Sequence, residues 1–486
     1  MTVLCSITPA MANSGSLMGR LHKASSIEEA LGSRHLDLLA RETRALRRER
    51  EFSYSDFLIC GVAAAADAPK ECAWTMKSVR ESCNRKEGRK GFAPVSDKCV
   101  RQRLNNPRAT RFFRAATAEL LDLVSKDAGR KLKAAMKGSP LATMMRMLGV
   151  DDIVLYDGTE VSLRPGCTSN FDCKGKGPVQ RGRGEVSNSA VKVHVAYSLS
   201  RRCYVSLDIT SAVHSERECV HFSDFRNTLL VMDRGCSSLE LEHAIEAPGN
   251  RCLVRGKVKS AGTILRASAP GGKARPELEG TRVSSLKGDE DLILDVRQRD
   301  GSTGRAMACA NPFPEDCDEG DGFTCLRTSL KCAFLTPFKL YNLYRMRWQI
   351  ELFNKANKEG SGLISINSDN KHIILSFLLM GVMASLIKSF VVMKAEAGGY
   401  AAPGTISLLL AHKGRVICRS FRKNLMRLLK GRTTKFQVFK DLCREVAETC
   451  LRTRRSKSSR RKGKDLEIQI ANVIQGVNEP GALLHL

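Results

Sequence analysis

The feature that most constrains the fold is the order of strand-like and helix-like segments between residues 152 and 258. Three segments with strand periodicity come first, and helical and short apolar segments then alternate. The seven segments are 152–163, 190–200, 203–212, 215–227, 228–235, 237–247 and 251–258. Strands joined by tight turns pair antiparallel, whereas strands joined through a helix pair in parallel. The order β-β-β-α-β-α-β therefore predicts an α/β fold with a mixed sheet and flanking helices.

Residues 1–149 are predicted to form a helical region. Leu and Ala recur at helical spacing over 26–50, and 54–149 also has a mostly helical pattern. Ser96 is a plausible N-cap for a short helix within 94–106. Such a helix suits a helix-turn-helix that lies in a DNA groove, although a plain bundle helix has the same spacing.

The charge of the chain indicates a polyanionic partner. There are 79 Lys and Arg against 51 Asp and Glu, a formal net charge of +28. The excess is concentrated in two stretches, since residues 77–114 carry +9 and residues 413–464 carry +16. Clusters of this kind neutralise nucleic-acid phosphates, although a basic tail can also be merely solubilising. Nucleic acid is favoured over a membrane surface, because no strongly basic amphipathic anchor stands out.

Several other classes of protein fit this sequence poorly. The N-terminus has no basic start followed by an apolar run, so no secretory signal is predicted. The 18 cysteines include no C-x-x-C pair, so neither a disulfide framework nor a zinc site is predicted. The apolar run 373–392 contains Gly381 and Lys388, and we expect a buried core helix there, not a membrane span. We expect a cytoplasmic protein with no membrane partner.

Two of the predicted strands run into an aspartate. Asp157 stands in IVLYDGT, and Asp233 stands in LLVMDRG. A carboxylate at the end of a buried strand is costly unless it is paired, hydrated or bound to metal. Either aspartate alone could simply cap a turn. Two on neighbouring strands would repel each other, and a divalent cation such as Mg²⁺ would stabilise both.

A third acid lies in a segment with helical spacing. Tyr344, Arg347, Glu351 and Lys358 follow one another at intervals of 3, 4 and 7, which places them on nearly one face of a continuous helix. A solvated amphipathic face is the alternative, but it does not explain this set of residues after two strand-end aspartates. For the neighbouring Trp348, core packing is favoured over stacking on a displaced base.

These residues resemble the DDE transposases of bacterial insertion sequences, specifically the IS-four family. The signature of that family is Y-x2-R-x3-E-x6-K, and all four of its positions match. The contexts DGT at 157 and DRG at 233 also resemble the two aspartate motifs of the family. The resemblance covers roughly residues 150–395, and the flanking regions match only in being helical and basic.

The resemblance implies a ribonuclease-H-like core in which three catalytic acids, Asp157, Asp233 and Glu351, hold two Mg²⁺ or Mn²⁺ ions. One ion would activate water or a DNA 3′-hydroxyl, and the other would stabilise the leaving oxygen. Three further residues of the signature would bind the DNA backbone near the cleaved end. They are Tyr344, Arg347 and Lys358.

The leading hypothesis is therefore a transposase that carries out cut-and-paste transposition. It would bind the terminal inverted repeats of its own element and target double-stranded DNA, as a homodimer in the synaptic complex and associated with the nucleoid. One alternative is a metal-dependent nuclease without strand transfer, since a fold does not determine a function. Another is an inactive relative kept as a DNA-binding protein, against which the presence of all three acids argues.

Five units are predicted along the chain. A helical DNA-binding region comes first, and the catalytic core follows in two parts. A β-rich insertion with Gly and Pro turns and one clear strand, 291–298, separates the two parts, and a basic helical region comes last. The predicted boundaries are 1–149, 150–258, 259–335, 336–398 and 399–486.

Overall fold

The computed structural model of the 486-residue chain describes most of the predicted core and parts of the flanking regions. It describes residues 5–7, 24, 26–46, 52–67, 75–85, 94–164, 167, 171, 173–176, 187–310, 322–332, 334–363, 365–413, 435–451 and 466–475. Much of the two basic stretches, at 86–93, 414–434 and 452–465, lies outside the described residues.

Twelve strands of the described chain form one mixed sheet. Along the sheet the order is β1-β5-β4-β2-β6-β7-β11-β10-β9-β8, while β12 pairs with β2 and β3 pairs with β4. The strands are β1 (Cys5–Ile7), β2 (Asp152–Leu163), β3 (Cys173–Lys176), β4 (Ser187–Ser198), β5 (Cys203–Ser211), β6 (Thr228–Met232), β7 (Arg251–Arg255), β8 (Thr263–Ser268), β9 (Leu292–Arg297), β10 (Thr303–Ala310), β11 (Phe323–Thr328) and β12 (Ser365–Ile366).

The central strand β2 explains why the sheet is mixed. It pairs antiparallel with β4 and parallel with β6, and β6 pairs in parallel with β7. Alternate residues of β2 enter two different hydrophobic clusters, with Ile153 and Leu155 in one and Val154 and Tyr156 in the other. A strand buried on both faces has a continuous apolar run, as this one does. The predicted α/β fold with a mixed sheet and flanking helices is confirmed.

Helices cover the sheet and form most of the N-terminal part. Those that the structure describes are α1 (Ile27–Ala30), α2 (Ser33–Glu42), α3 (Tyr54–Ala66), α4 (Met76–Asn84), α5 (Asp97–Leu104), α6 (Pro107–Leu123), α7 (Gly129–Ala135), α8 (Pro140–Leu148), α9 (Leu239–Glu246), α10 (Pro337–Arg345), α11 (Trp348–Gly360), α12 (Lys371–Ala397), α13 (Leu408–Lys413), α14 (Lys435–Thr449) and α15 (Leu466–Gln475). The expected cap of α5 is present, since the Ser96 hydroxyl accepts from the Cys99 N–H at 3.3 Å.

Helix α12 lies at the centre of the main hydrophobic core. It is the one described helix long and apolar enough to cross a membrane by length and composition, and its apolar window is wholly buried within the protein. It packs against α3, α6 and α14. The predicted buried core helix over residues 373–392 is confirmed.

The helix predicted over 215–227 is wrong. Two short 3₁₀ turns stand there, Glu216–Cys219 and Phe222–Asp224. The Asn250 side-chain amide donates to the carbonyls of Phe222 and Phe225, at 3.0 and 3.2 Å. Tertiary hydrogen bonds thus take the acceptors that an α-helix would have used, and they override the local helical pattern.

The region between β7 and α10 adds four strands to the edge of the sheet. The predicted strand at 291–298 is present as β9, and it pairs with β8 and β10. The last strand of the region, β11, returns to pair antiparallel with β7, so that Leu326 lies opposite Arg255. These strands therefore continue the central sheet.

Candidate active site

Asp157 and Asp233 lie just beyond the point where the pairing of β2 with β6 ends. Asp233 directly follows β6 as predicted, whereas Asp157 lies within β2, opposite Val195 on β4, so the predicted strand end at Asp157 is wrong. The last registered pair of these parallel strands is Leu155 with Val231, and each aspartate is two residues further along. Strand β6 ends at Met232, and Asp233 begins a 3₁₀ turn in which its carbonyl accepts from the Cys236 N–H at 2.9 Å. The strand pairing therefore brings the two predicted acids next to each other.

The segment that carries the third predicted acid is broken into two helices. Helix α10 ends at Arg345 and α11 begins at Trp348. Between them the chain makes i→i−3 hydrogen bonds, including Arg347 N–H to the Tyr344 carbonyl at 2.9 Å. The predicted continuous helix is wrong at this point. Because residues three apart are eclipsed in a 3₁₀ turn, the turn still stacks Arg347 over Tyr344, with 5.9 Å from the guanidinium carbon to the ring centroid.

Arg347 lies between two of the three predicted acids. Its guanidinium is 3.5 Å from Asp157 Oδ1 and 2.5 Å from Glu351 Oε1. Its side chain is only 15% exposed, so that solvent screens these charges weakly. The structure thus brings Asp157, Arg347 and Glu351 together from positions almost 200 residues apart.

Tyr344 contacts the remaining acid. Its hydroxyl donates to Asp233 Oδ1 at 3.0 Å. The fourth residue of the signature, Lys358, is half-buried, and burial lowers the pKa of its ammonium group although Glu160 and Asp157 oppose that shift. Lys358 is therefore close enough to Asp157 to interact electrostatically.

A chain of hydrogen bonds, absent from the sequence prediction, holds Asp157 from the core side. The hydroxyl of Ser385 on α12 donates to Asn357, Asn357 donates to the Tyr204 hydroxyl, and both distances are 2.6 Å. Tyr204 donates to Asn354, which in turn donates to Asp157 Oδ2, each at 3.0 Å. Every donor points toward the carboxylate, and this favours its ionised form. The only sequence signal for Asn354 was its place three residues after Glu351 on one helix face.

The two aspartates differ in their proton affinity. Burial raises the pKa of Asp157 to about 6; Arg347 opposes this shift, whereas Glu351 and Glu216 add to it. Burial also disfavours the ionised form of Asp233, but the charge of Arg347, the Arg234 backbone N–H and the Tyr344 hydroxyl together lower its pKa. One acid is thus held ionised, while its neighbour can take up a proton near neutral pH.

The acids are of the type that binds a hard divalent cation, although an arginine side chain lies between two of them. Among the described residues, no group of three or more His, Cys, Asp and Glu side chains is arranged as a metal site. The Arg347 guanidinium instead neutralises Asp157 and Glu351. The acids offer only carboxylate oxygens, which are the ligands that Mg²⁺ and Mn²⁺ prefer.

A small cavity of about 90 Å³ adjoins Tyr344 and Arg347. Arginines and aromatic side chains dominate its wall, and Trp348 is among them. Trp348 is partly exposed and does not belong to the buried core, so the expectation of core packing for it is wrong. The six charged and aromatic residues of the wall are Arg255, Arg345, Arg347, Tyr341, Tyr344 and Trp348.

A fourth carboxylate near the two aspartates was missed in the sequence, because its segment was predicted to be an ordinary helix. Glu216 forms an ion pair with Lys192 at 2.6 Å and contributes to the raised pKa of Asp157. One indirect sign of it was present in the sequence, namely the glycines at 158 and 235 that follow the two aspartates.

The part of the chain that carries this site matches a known family. Residues 148–387 match the family model described as the transposase DDE domain, and this range includes all six residues predicted for the site. A search among curated proteins found no match. The central part of the chain, residues 148–387, is therefore similar to a transposase DDE domain.

Proposed function

We propose that this protein is a transposase of the IS-four type that cleaves DNA at the ends of its element and joins them to a target. The observation that carries the proposal is the assembly of Asp157, Asp233 and Glu351 around Arg347 and Tyr344, within the transposase DDE domain. Acids and phosphate-binding groups in one place are what metal-dependent phosphodiester chemistry needs.

The topology of the sheet supports a ribonuclease-H-like core. The order β5-β4-β2-β6-β7 places three antiparallel strands beside two parallel ones. The first two acids lie just beyond the paired residues of β2 and β6. This is the arrangement that the resemblance to the DDE transposases implies.

Asp157, Asp233 and Glu351 would hold Mg²⁺ or Mn²⁺, in two ions. When bound, such ions activate the attacking water or 3′-hydroxyl and stabilise the leaving oxygen. Burial is the main cause of the raised pKa of Asp157, and the nearby charges of Glu351 and Glu216 raise it further. The presence of these carboxylates in one place supports a cation site there, since a bound cation would stabilise their charges.

The other residues of the signature would bind and orient the DNA. The planar guanidinium of Arg347 can form two parallel hydrogen bonds with a phosphate, whereas Lys358 supplies a point charge. The Tyr344 hydroxyl, which now donates to Asp233, can donate to a phosphate oxygen when DNA is bound. Arg347 would then exchange its carboxylate partners, at least in part, for the DNA backbone.

The flanking regions would bring DNA to this site. The stretches at 77–114 and 413–464 are the most basic parts of the chain, and terminal-repeat binding is assigned to them. The protein would work as a homodimer that synapses two ends, in the cytoplasm and on the nucleoid.

The test is a strand-transfer assay with the purified full-length protein. Labelled DNA that carries the two sequences flanking the coding region is incubated with Mg²⁺ and a target plasmid. Joined products support the proposal, whereas breaks without joined products would favour the nuclease alternative. Binding of the ends without any breakage would favour the inactive relative.

Variants connect the activity to the proposed residues. Asp157→Ala, Asp233→Ala and Glu351→Ala should each abolish cleavage and leave binding of the ends measurable. Asp300→Ala is the matched control, because Asp300 is an exposed aspartate in the turn between β9 and β10. Full cleavage by any of the three variants would remove that acid from the proposed site.

A further inference from the structure

Gly158 and Gly235, which follow the two aspartates, are not required by the backbone. Neither residue has a positive φ. A Cβ at either position would instead crowd the end of a side chain. On Gly158 it would lie 2.7 Å from Lys192 Cε and 2.9 Å from Glu216 Oε1, and on Gly235 it would lie 2.9 Å from Glu216 Oε2. Each glycine therefore makes room for one oxygen of the same carboxylate.

Glu216 is held at this position by its neighbours. Its carboxylate is 2.6 Å from the ammonium group of Lys192 on β4, and the two side chains are 22% and 12% exposed. The Tyr156 hydroxyl on β2 donates to the Glu216 carbonyl at 3.1 Å. The next residue, Arg217, donates from Nε to the carbonyl of Gly235 at 3.0 Å. Contacts from β2, β4 and the turn after β6 thus converge on one residue.

The position matters because the pairing of β2 with β6 has already ended there, although β2 still pairs with β4. The register of β2 with β6 stops at Leu155 and Val231, two residues before the aspartates. In this described part of the sheet, no ladder hydrogen bonds beyond that pair fix the separation of the Asp157 backbone from the turn at Asp233. The Glu216 carboxylate lies against both segments, at Gly158 on one side and Gly235 on the other.

We propose that Glu216 is a positioning residue of the active site, whose carboxylate, seated between Gly158 and Gly235 and paired with Lys192, sets the spacing of Asp157 and Asp233. The inference rests on the proposed function, since the acids that Glu216 positions are the proposed metal ligands. An ordinary surface ion pair would contribute little and would not need two glycines around it.

The first test measures Mn²⁺ affinity of the full-length protein by electron paramagnetic resonance, together with the melting temperature. Glu216→Ala should bind Mn²⁺ about 10- to 100-fold more weakly, the usual effect of removing a group that orients metal ligands. Glu216→Gln keeps the volume between the glycines and should retain part of the affinity. Glu218→Gln is the matched control, because Glu218 is in the same turn, is 64% exposed and pairs with His214.

The second test uses the glycines. The atoms that a new methyl group would meet are the ends of flexible side chains, so Gly235→Ala should displace the Glu216 carboxylate and leave the melting temperature nearly unchanged. Its Mn²⁺ affinity should fall as in Glu216→Ala. In the Glu216→Ala background, Gly235→Ala should have little additional effect, because both changes disrupt the same interaction.

Two outcomes would overturn the inference alone. One is wild-type Mn²⁺ affinity in Glu216→Ala, and the other is independent, additive losses from Gly235→Ala and Glu216→Ala. A wild-type protein that neither binds Mn²⁺ nor cleaves DNA would instead overturn the proposed function, and this inference with it.

Discussion

At the scale of single residues, Arg347 lies between the carboxylates of Asp157 and Glu351. It neutralises Asp157 and Glu351 directly, and its charge also helps to lower the pKa of Asp233. Burial disfavours a charged guanidinium, but Tyr344 and the acids outweigh it and raise the pKa of Arg347. Arg347 therefore stays charged at any pH at which the protein is folded.

Removing this charge should make the protein depend on metal for stability. In the absence of metal, Arg347→Gln should lose about 1–3 kcal/mol of unfolding free energy, less than for a fully buried pair because solvent reaches the site. Mg²⁺ should raise the melting temperature of the variant more than that of the wild type. The control is Arg305→Gln, a change of an exposed arginine on β10. If Mg²⁺ raised the melting temperatures of Arg347→Gln and of the wild type equally, this role of Arg347 would be contradicted.

The proton on Asp157 should make metal binding depend on pH. The raised pKa, about 6, means that the folded protein without metal holds this proton at pH values where an ordinary aspartate is already ionised. Metal must displace the proton, so Mn²⁺ affinity should fall about tenfold for each pH unit below the pKa and level off above it. Calorimetric titrations over that range would show the slope and the released proton. A Mn²⁺ affinity that does not change with pH would contradict this prediction.

At the scale of elements, hydrogen bonds connect the site to the core helix α12. The chain of donors that starts at Ser385 crosses α11 and β5 before it reaches Asp157 on β2. A second connection is Lys388 on α12, whose ammonium group donates to the carbonyls of Ala66, Gly360 and His412. Two of those carbonyls belong to the last residues of α3 and α11, where the helix dipole favours a cation.

Breaking the donor chain at its middle should affect both stability and activity. Tyr204→Phe leaves polar groups of Asn354 and Asn357 without their partner in a buried site, at a cost of about 1–3 kcal/mol. DNA cleavage should slow as well, because Asn354 then no longer fixes Asp157. Urea unfolding and the cleavage assay measure the two effects. Tyr400→Phe, on an exposed tyrosine, should change neither.

Loss of the Lys388 ammonium group should destabilise the whole core. The side chain is 2% exposed, and Lys388→Met keeps the apolar stem while it removes a hydrogen-bond donor shared by three carbonyls, at a cost of about 3 kcal/mol or more. Lys394→Met is the control on the same helix. Lys394 pairs with Glu28 at 2.9 Å, but it is 30% exposed, so its loss should cost under about 1 kcal/mol. Comparable urea midpoints for the two variants would refute the difference.

At the scale of the whole molecule, positive charge is distributed unevenly along the sequence. The net charge is +28, and the two most basic stretches lie on either side of the segment that matches the transposase DDE domain. Phosphate binding by such stretches is sequence-independent and depends steeply on salt. Affinity for DNA and chemistry on DNA should therefore be separable.

Neutralising the last basic run tests this separation. Eight Lys and Arg occur in residues 452–464, and replacing them with Gln should weaken DNA binding. The slope of log affinity against log salt should become shallower by about 0.9 for each DNA phosphate that the variant no longer neutralises. Fluorescence anisotropy over a range of KCl measures that slope. Mn²⁺ affinity should not change, and an unchanged salt slope would rule out phosphate binding by this run.

The sheet and the first two acids could be predicted from sequence because their signals are local. Strand periodicity predicted β2 at its observed bounds, and an acid directly after a run of apolar residues needs no long-range information to be noticed. Glu351 was found by its spacing from Tyr344 and Arg347. These signals depend on neighbours within a few residues.

The parts that sequence did not predict depend on distant partners. No Gly or Pro marks the break between α10 and α11. Asn354 looks like any polar residue of an amphipathic helix until β2 brings Asp157 to it. The place of Glu216 in the site can be recognised only in the folded chain, because Gly158 and Gly235 are distant in sequence and both lie against its carboxylate.

Because β11 pairs with β7, the number of residues between these strands does not determine the geometry of the active site. Helix α10 packs on both strands, so the position of the third acid relative to the second depends on β7, β11 and α10. Strands β8, β9 and β10 lie beyond β11, at the end of the sheet away from the acids. This end of the sheet can therefore grow, shrink or acquire new surface in the course of evolution while the spacing of the acids is preserved.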